Sequence, residues 1–87
     1  TLEPDATSID TRLGEIFITG QNTQATEITS ISGSGIITII GGAGTIPSTM
    51  SPSTTFILSS VMTFDENDSL TLIKIGSKFI ELARSVK

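Results

Sequence analysis

Between Glu27 and Asp65 the chain runs for 37 consecutive residues without one Asp, Glu, Lys or Arg. The surface of a monomeric domain rarely tolerates this. Exposed edge strands normally carry Lys or another charge that blocks edge-to-edge pairing, and it is the cores of interfaces that are depleted of charge. The stretch therefore reads as partly buried between chains, against the competing reading of a surface coated with Ser and Thr hydroxyls. Its composition also limits its conformation. Ile, Thr and Ser supply 40 of the 87 residues (14, 14 and 12), and β-branched side chains lose χ1 freedom in a helix but pack well on a pleated surface. No window of ordinary helix length carries apolar residues at i, i+3, i+4 and i+7. The nearest, residues 79–86, reads better as a strand. The class is all-β.

Six strands are expected, near residues 14–19, 26–32, 36–40, 54–63, 69–75 and 78–84. The breaks fall at Gly20-Gln21-Asn22, Gly33-Ser34-Gly35, residues 41–52, Asp65-Glu66-Asn67-Asp68 and Gly76-Ser77, all rich in residues that favour turns. Short strands at this spacing suggest a small antiparallel β-sandwich or jelly-roll-like barrel. The last two strands, joined by Gly76-Ser77, form the clearest hairpin. Leu70 and Leu72 lie on one face of it and Ile73 and Ile75 on the other, so both faces call for cover. Residues 41–52 read as a long flexible loop or an arm crossing to a neighbouring subunit. No internal repeat of solenoid length is read. The chain is one domain, 1–87, with residues 1–12 as a flexible arm or a linker from a longer chain. The polar tail before Ala6 is expected to fray. A start at Thr1 rather than Met reads as a processed product or a piece of something longer.

At 87 residues a domain buries only about 60–65% of the surface its unfolded chain exposes, so its core leaves little stability in reserve. Disulfides and metals are the usual supplements, and the chain has neither Cys nor His. Oligomerisation remains. The apolar residues of the uncharged stretch then supply the candidate interface: Ile36, Ile37, Ile39, Ile40, Phe56 and Leu58. Arg84 is the candidate structural salt bridge. Three residues from Glu81 on an extended strand, it projects to the opposite face, so its partner is expected to be Asp10, Glu15 or Glu27 of the same or a neighbouring chain.

Chemistry finds little to work with. Without His there is no usual general base near neutral pH, and without Cys no thiolate nucleophile or zinc ligand. Five basic residues against nine acidic ones give a net charge of −4, which lacks the electrostatic footprint of a nucleic-acid partner or an anionic membrane surface. The most apolar run, Ile36–Ile40, is far shorter than the roughly 20 residues of a spanning helix. Gly33-Ser34-Gly35 and Gly41-Gly42-Ala43-Gly44 open no helix and precede no nearby Lys, so they read as turns rather than phosphate loops. The acidic turn at Asp65, Glu66 and Asp68 offers hard oxygens for Ca²⁺ but not the spacing of an EF-hand, and reads as a solvated turn. Thr1 as an N-terminal nucleophile would need an organised oxyanion hole. Carboxylates drawn from Glu3, Asp5, Asp10, Glu15 and Glu27 lack an aromatic sugar platform, since the chain has no Trp or Tyr. No catalytic, metal or cofactor residues are assigned, and the chain is not expected to be an enzyme.

The text from Asp65 to Ser85 has an acidic turn, Leu70-Thr71-Leu72, a turn at Gly76, an aromatic at Phe79, and Glu81 followed by Arg84-Ser85. It resembles the closing hairpin of modules in phage and other viral tail fibres and tailspikes, in which the aromatic is usually Trp. Upstream, Phe17-Ile18-Thr19-Gly20-Gln21-Asn22-Thr23 followed by Ile28-Thr29-Ser30-Ile31 is similar to the opening of the same module, while residues 36–63 match in character only. The resemblance implies a β-domain that forms a homotrimer as a structural component of a virion: a tail fibre, spike or capsid appendage, assembled in the host cytoplasm beside other virion proteins. Such modules carry no catalytic residues to transfer. The alternatives are a tip domain that binds a host receptor or a glycan, and a non-viral surface adhesin module. A polysaccharide-degrading spike domain would need a base, nucleophile or metal constellation that the sequence lacks.

Overall fold

The computed structural model describes residues 1–33 and 35–87 and, at Leu13, the backbone alone. Ser34, within one expected turn, lies outside the described residues. Among those described there are ten strands: β1 (Ser8–Asp10), β2 (Ile16–Ile18), β3 (Thr26–Glu27), β4 (Ser30–Ser32), β5 (Ile36–Ile40), β6 (Ser48–Met50), β7 (Phe56–Ile57), β8 (Met62–Phe64), β9 (Ser69–Ile75) and β10 (Lys78–Ser85). A single 3-10 turn, Thr11–Leu13, is capped by the Asp10 carboxylate, which accepts from the Arg12 backbone N–H. The class is all-β, as the β-branched composition requires.

The first six strands form two stacked coils. β1 pairs with β4, β2 with β5 and β3 with β6, all parallel. The partners are Ser8 with Ser30, Ile16 with Thr38 and Thr26 with Ser48, an offset of 22 residues each time. A constant offset places equivalent side chains one above another, so Phe17 and Ile39, Thr26 and Ser48, and Ile28 and Met50 are buried in pairs. The expectation of no repeat is thereby corrected. Parallel pairing also corrects the antiparallel expectation: four of the seven described pairings are parallel. A chain that turns three corners per coil returns to its starting face in the same direction, whereas hairpin turns would have reversed it.

The same geometry divides two expected strands. The 26–32 segment breaks at Ile28 and Thr29, where the chain turns a corner and its N–H groups donate to Thr49 O (2.8 Å) and Thr7 O (2.8 Å). The 54–63 segment divides into β7 and β8. Conversely, residues 41–52 are not a free loop, because β6 within them stacks on β3. The Gly41-Gly42 step is the tight point. A Cβ at Gly42 would collide with the Thr19 carbonyl and one at Gly41 with the Asp65 carbonyl, so both glycines serve close backbone approach.

The N-terminal residues are docked. Leu2 packs on the core and its N–H donates to Ile18 O (2.7 Å). Asp5, at φ 63°, accepts from Thr23 N (2.8 Å) and Thr23 Oγ1 (2.7 Å). The Asp5 N–H donates to Asn22 Oδ1, and the buried Asn22 amide donates to Ile46 O and Ser48 Oγ. The bonds accepted by the Asp5 carboxylate, that from the Thr23 hydroxyl first, hold its pKa below the usual carboxylate range. The segment expected to fray thus binds the corner of the first coil to the second.

The C-terminal half closes the stack. β8 pairs antiparallel with β6, β9 antiparallel with β5, β10 antiparallel with β9, and β7 parallel with β10. The resulting five-stranded sheet has the order β2-β5-β9-β10-β7. Its inner face supplies Phe17, Ile37, Ile39, Phe56, Leu70, Leu72 and Phe79 to a core completed by Ile9, Ile28, Met50, Met62 and Phe64. Each such side chain contributes roughly 1.5–3 kcal/mol on burial. Gly42→Ala is expected to destabilise by about 1–3 kcal/mol through overpacking against Thr19, whereas Ala43→Ser, exposed beside it, should change stability by less than about 0.5 kcal/mol. Urea unfolding of both variants checks this.

Candidate functional site

The outer face of the five-stranded sheet is the surface that stands out. Side chains alternate along a strand, so as Ile37 and Ile39 enter the core, Ile36, Thr38 and Ile40 face outward. In register, Ile36 lies beside Ile73, Ile73 beside Ile80, and Ile80 beside Ile57. Four isoleucines thus form one row across four strands. Ile16 and Ile18 extend the apolar surface on β2, and Ile75 on β9. Ile36 is 52% exposed, Ile16 66% and Ile75 57%. The next row is polar only at its centre, where the Thr38 and Thr71 hydroxyls hydrogen-bond each other at 3.0 Å. Contiguous exposed apolar surface on this scale marks a contact site more often than a solvated one.

Charge touches this face only at its margins. At one side Glu15, Ile16, Gly35, Ile36 and Thr38 line an open cleft of about 640 Å³. At the other side Lys78 precedes Ile80 on β10. Among the described residues the only ion pairs are Arg12 with Asp10 and Arg84 with Glu81, so neither Glu15 nor Lys78 has one.

Of the six residues expected at a subunit interface, Ile37, Ile39 and Phe56 lie in the protomer's own core, with at most 3% exposure. Leu58 is half-buried against that core. Ile36 and Ile40 face outward. Period-two alternation divides the Ile36–Ile40 run between the two faces, which a reading of the run as one apolar block misses. Ile16, Ile57, Ile73, Ile75 and Ile80 complete the surface. The signal for two of them was the apolar alternation on both faces of 69–75.

Arg84 does make a structural salt bridge, but its partner is Glu81, with Nε 2.8 Å from Oε2. A β-bulge explains the correction. Glu81 lies opposite Leu72 and Ala83 opposite Thr71, so Leu82 is the extra residue, and Glu81 and Arg84 come to share a face. Asp10 is engaged by Arg12. The pair clamps the loop between β7 and β8. Arg84 Nη2 donates to Ser60 O (2.9 Å) and Nη1 to Val61 O (3.3 Å), while Glu81 Oε1 accepts from Ser59 N (2.9 Å).

The acidic turn has a structural use as well. Asp68 is buried, its carboxylate accepts from Lys87 N (2.8 Å), and its carbonyl accepts from Gly41 N (2.7 Å). Among the described residues no three His, Cys, Asp or Glu side chains converge as metal ligands. Comparison with family models, with curated proteins and with solved structures gives no match.

The Arg84 hydrogen bond, ahead of those from Ser59, lowers the Glu81 pKa from 4.5 to about 2. A depressed carboxylate stabilises fully above its unfolded pKa and loses that contribution as pH falls through the folded one. The unfolding midpoint of the protein should fall between pH 4.5 and 2, and Glu81→Gln should flatten that part of the profile. Arg84→Ala is expected to cost about 2 kcal/mol at neutral pH, since bonds to charged groups are each worth about 1.5–3 kcal/mol. Thermal unfolding by circular dichroism reads both.

Proposed function

We propose that this chain is a structural, self-associating module, and that its copies assemble through the outer face of the five-stranded sheet. The observation that carries the reading is the row Ile36, Ile73, Ile80 and Ile57, apolar across four strands, with Ile36 and Ile57 exposed and Ile73 and Ile80 half-buried in the single protomer. Covering it returns hydrophobic free energy of roughly 25 cal/mol per Å² to a small domain that has no disulfide. The resemblance to tail-fibre and tailspike modules supplies the setting, a virion appendage, and the number of copies, three.

The proposal predicts a species three times the 9.1 kDa of the chain in native mass measurement at micromolar concentration, and a thermal midpoint that rises with protein concentration. A stable folded monomer across that range contradicts it. Ile36→Lys and Ile73→Lys, which place charge on the outer row, should dissociate the assembly and leave the β circular-dichroism signal in place. The virion setting predicts that antibodies to the chain decorate purified particles, and particles without the chain would remove that part of the reading.

A further inference from the structure

The two margins of the apolar face differ. The β2 margin is a hollow, the cleft between Ile16 and Ile36, with Glu15 on its rim. The β7 margin carries an apolar pair, Ile57 (41% exposed) beside Ile80, with Lys78 two residues before Ile80 on the same face of β10. A hollow with an acid and an apolar pair with a cation are complements of one another. Because they sit at opposite edges of one sheet, one copy cannot fit its own hollow with its own apolar pair.

Resting on the self-association proposed above, we infer that opposite margins meet: the Ile57–Ile80 pair of one copy fills the Glu15–Ile16 hollow of another, and Lys78 meets Glu15 across the boundary. The electrostatics favour a second copy as the occupant. The chain carries a net charge of −4, so two copies repel across most orientations. Glu15 and Lys78 at this face are opposite in sign, and each lacks an ion-pair partner within the described residues of its own chain.

Two variants test the arrangement. Ile16→Lys charges the hollow and Ile57→Lys charges the apolar pair opposite it. Both side chains are exposed in the protomer, so folding is retained, with far-UV circular dichroism as the check. By native mass spectrometry each variant alone should be monomeric. Their equimolar mixture should form a heterodimer, because one intact hollow and one intact Ile57–Ile80 pair remain. A mixture without complex, or either variant assembling like the wild type, overturns the inference. For the charge pair, Glu15→Lys or Lys78→Glu alone should weaken assembly about tenfold or more through like-charge contact, and both exchanges in one chain should restore it. Failure of the exchange to restore assembly overturns the Lys78–Glu15 contact. A monomeric wild type refutes the self-association reading itself, an outcome distinct from a wild type that assembles through another surface.

Discussion

Everything in this fold depends on two coils stacked in parallel at a constant offset of 22 residues. Parallel stacking sets position on position: Phe17 with Ile39 and Thr26 with Ser48 on the inside, Ile16 with Thr38 and Ile18 with Ile40 on the outside. It also brings backbone against backbone at the corners. The two glycines at 41 and 42 are therefore spent on carbonyl approach rather than on flexibility. Hydroxyls on the second coil bond back to the first, as when Thr49 Oγ1 donates to Thr26 O (3.3 Å) and Ser32 Oγ to Ile9 O (3.4 Å). An uncharged stretch suits this architecture because side chains stacked in register would bring like charges together.

A stack of two coils has open edges, and the C-terminal half answers the lower ones. β8 and β9 reverse direction to pair with β6 and β5, and β10 returns along β9. This closure widens one wall of the stack into five strands, with a core face on one side and nothing on the other. The bulge at Leu82 then turns Glu81 and Arg84 together onto the loop between β7 and β8, fixing the last strand against the body of the domain. Closing the core and exposing the isoleucine row are thus two results of one arrangement.

The strands that could be read to the residue were β5 and β9, where an apolar run or a strict alternation meets turn residues at both ends. β10 was placed within one residue for the same reason. The coil repeat was harder to see. Across its 22 positions only Ser8 and Ser30, Ile9 and Ile31, Ile18 and Ile40, Gly20 and Gly42, and Thr23 and Thr45 are identical, and many of the others are unlike, as Glu15 against Ile37 and Gln24 against Ile46. β1 and β6 are three residues each, too short for periodicity to register, and their stability comes from the strand stacked on them. The partner of Arg84 was hidden because a bulge depends on strand register and leaves no mark in local spacing. The candidate surface was half legible: Ile36 and Ile40 were in the expected interface and Ile73 and Ile75 in the hairpin that called for cover, but Ile16, Ile18, Ile57 and Ile80 were not, because which side chains lie outside follows from which face the core covers.

The isoleucines themselves offer the most direct measurement. With Ile methyl groups labelled, a soluble paramagnetic agent broadens each methyl resonance according to its access to solvent. If copies meet on the outer face, the Ile36, Ile73 and Ile80 methyls are protected at high protein concentration and become accessible on dilution, while the core methyls of Ile37 and Ile39 stay protected throughout. Outer-face methyls that remain fully accessible in the assembled protein, at every concentration, would contradict the role given to this face.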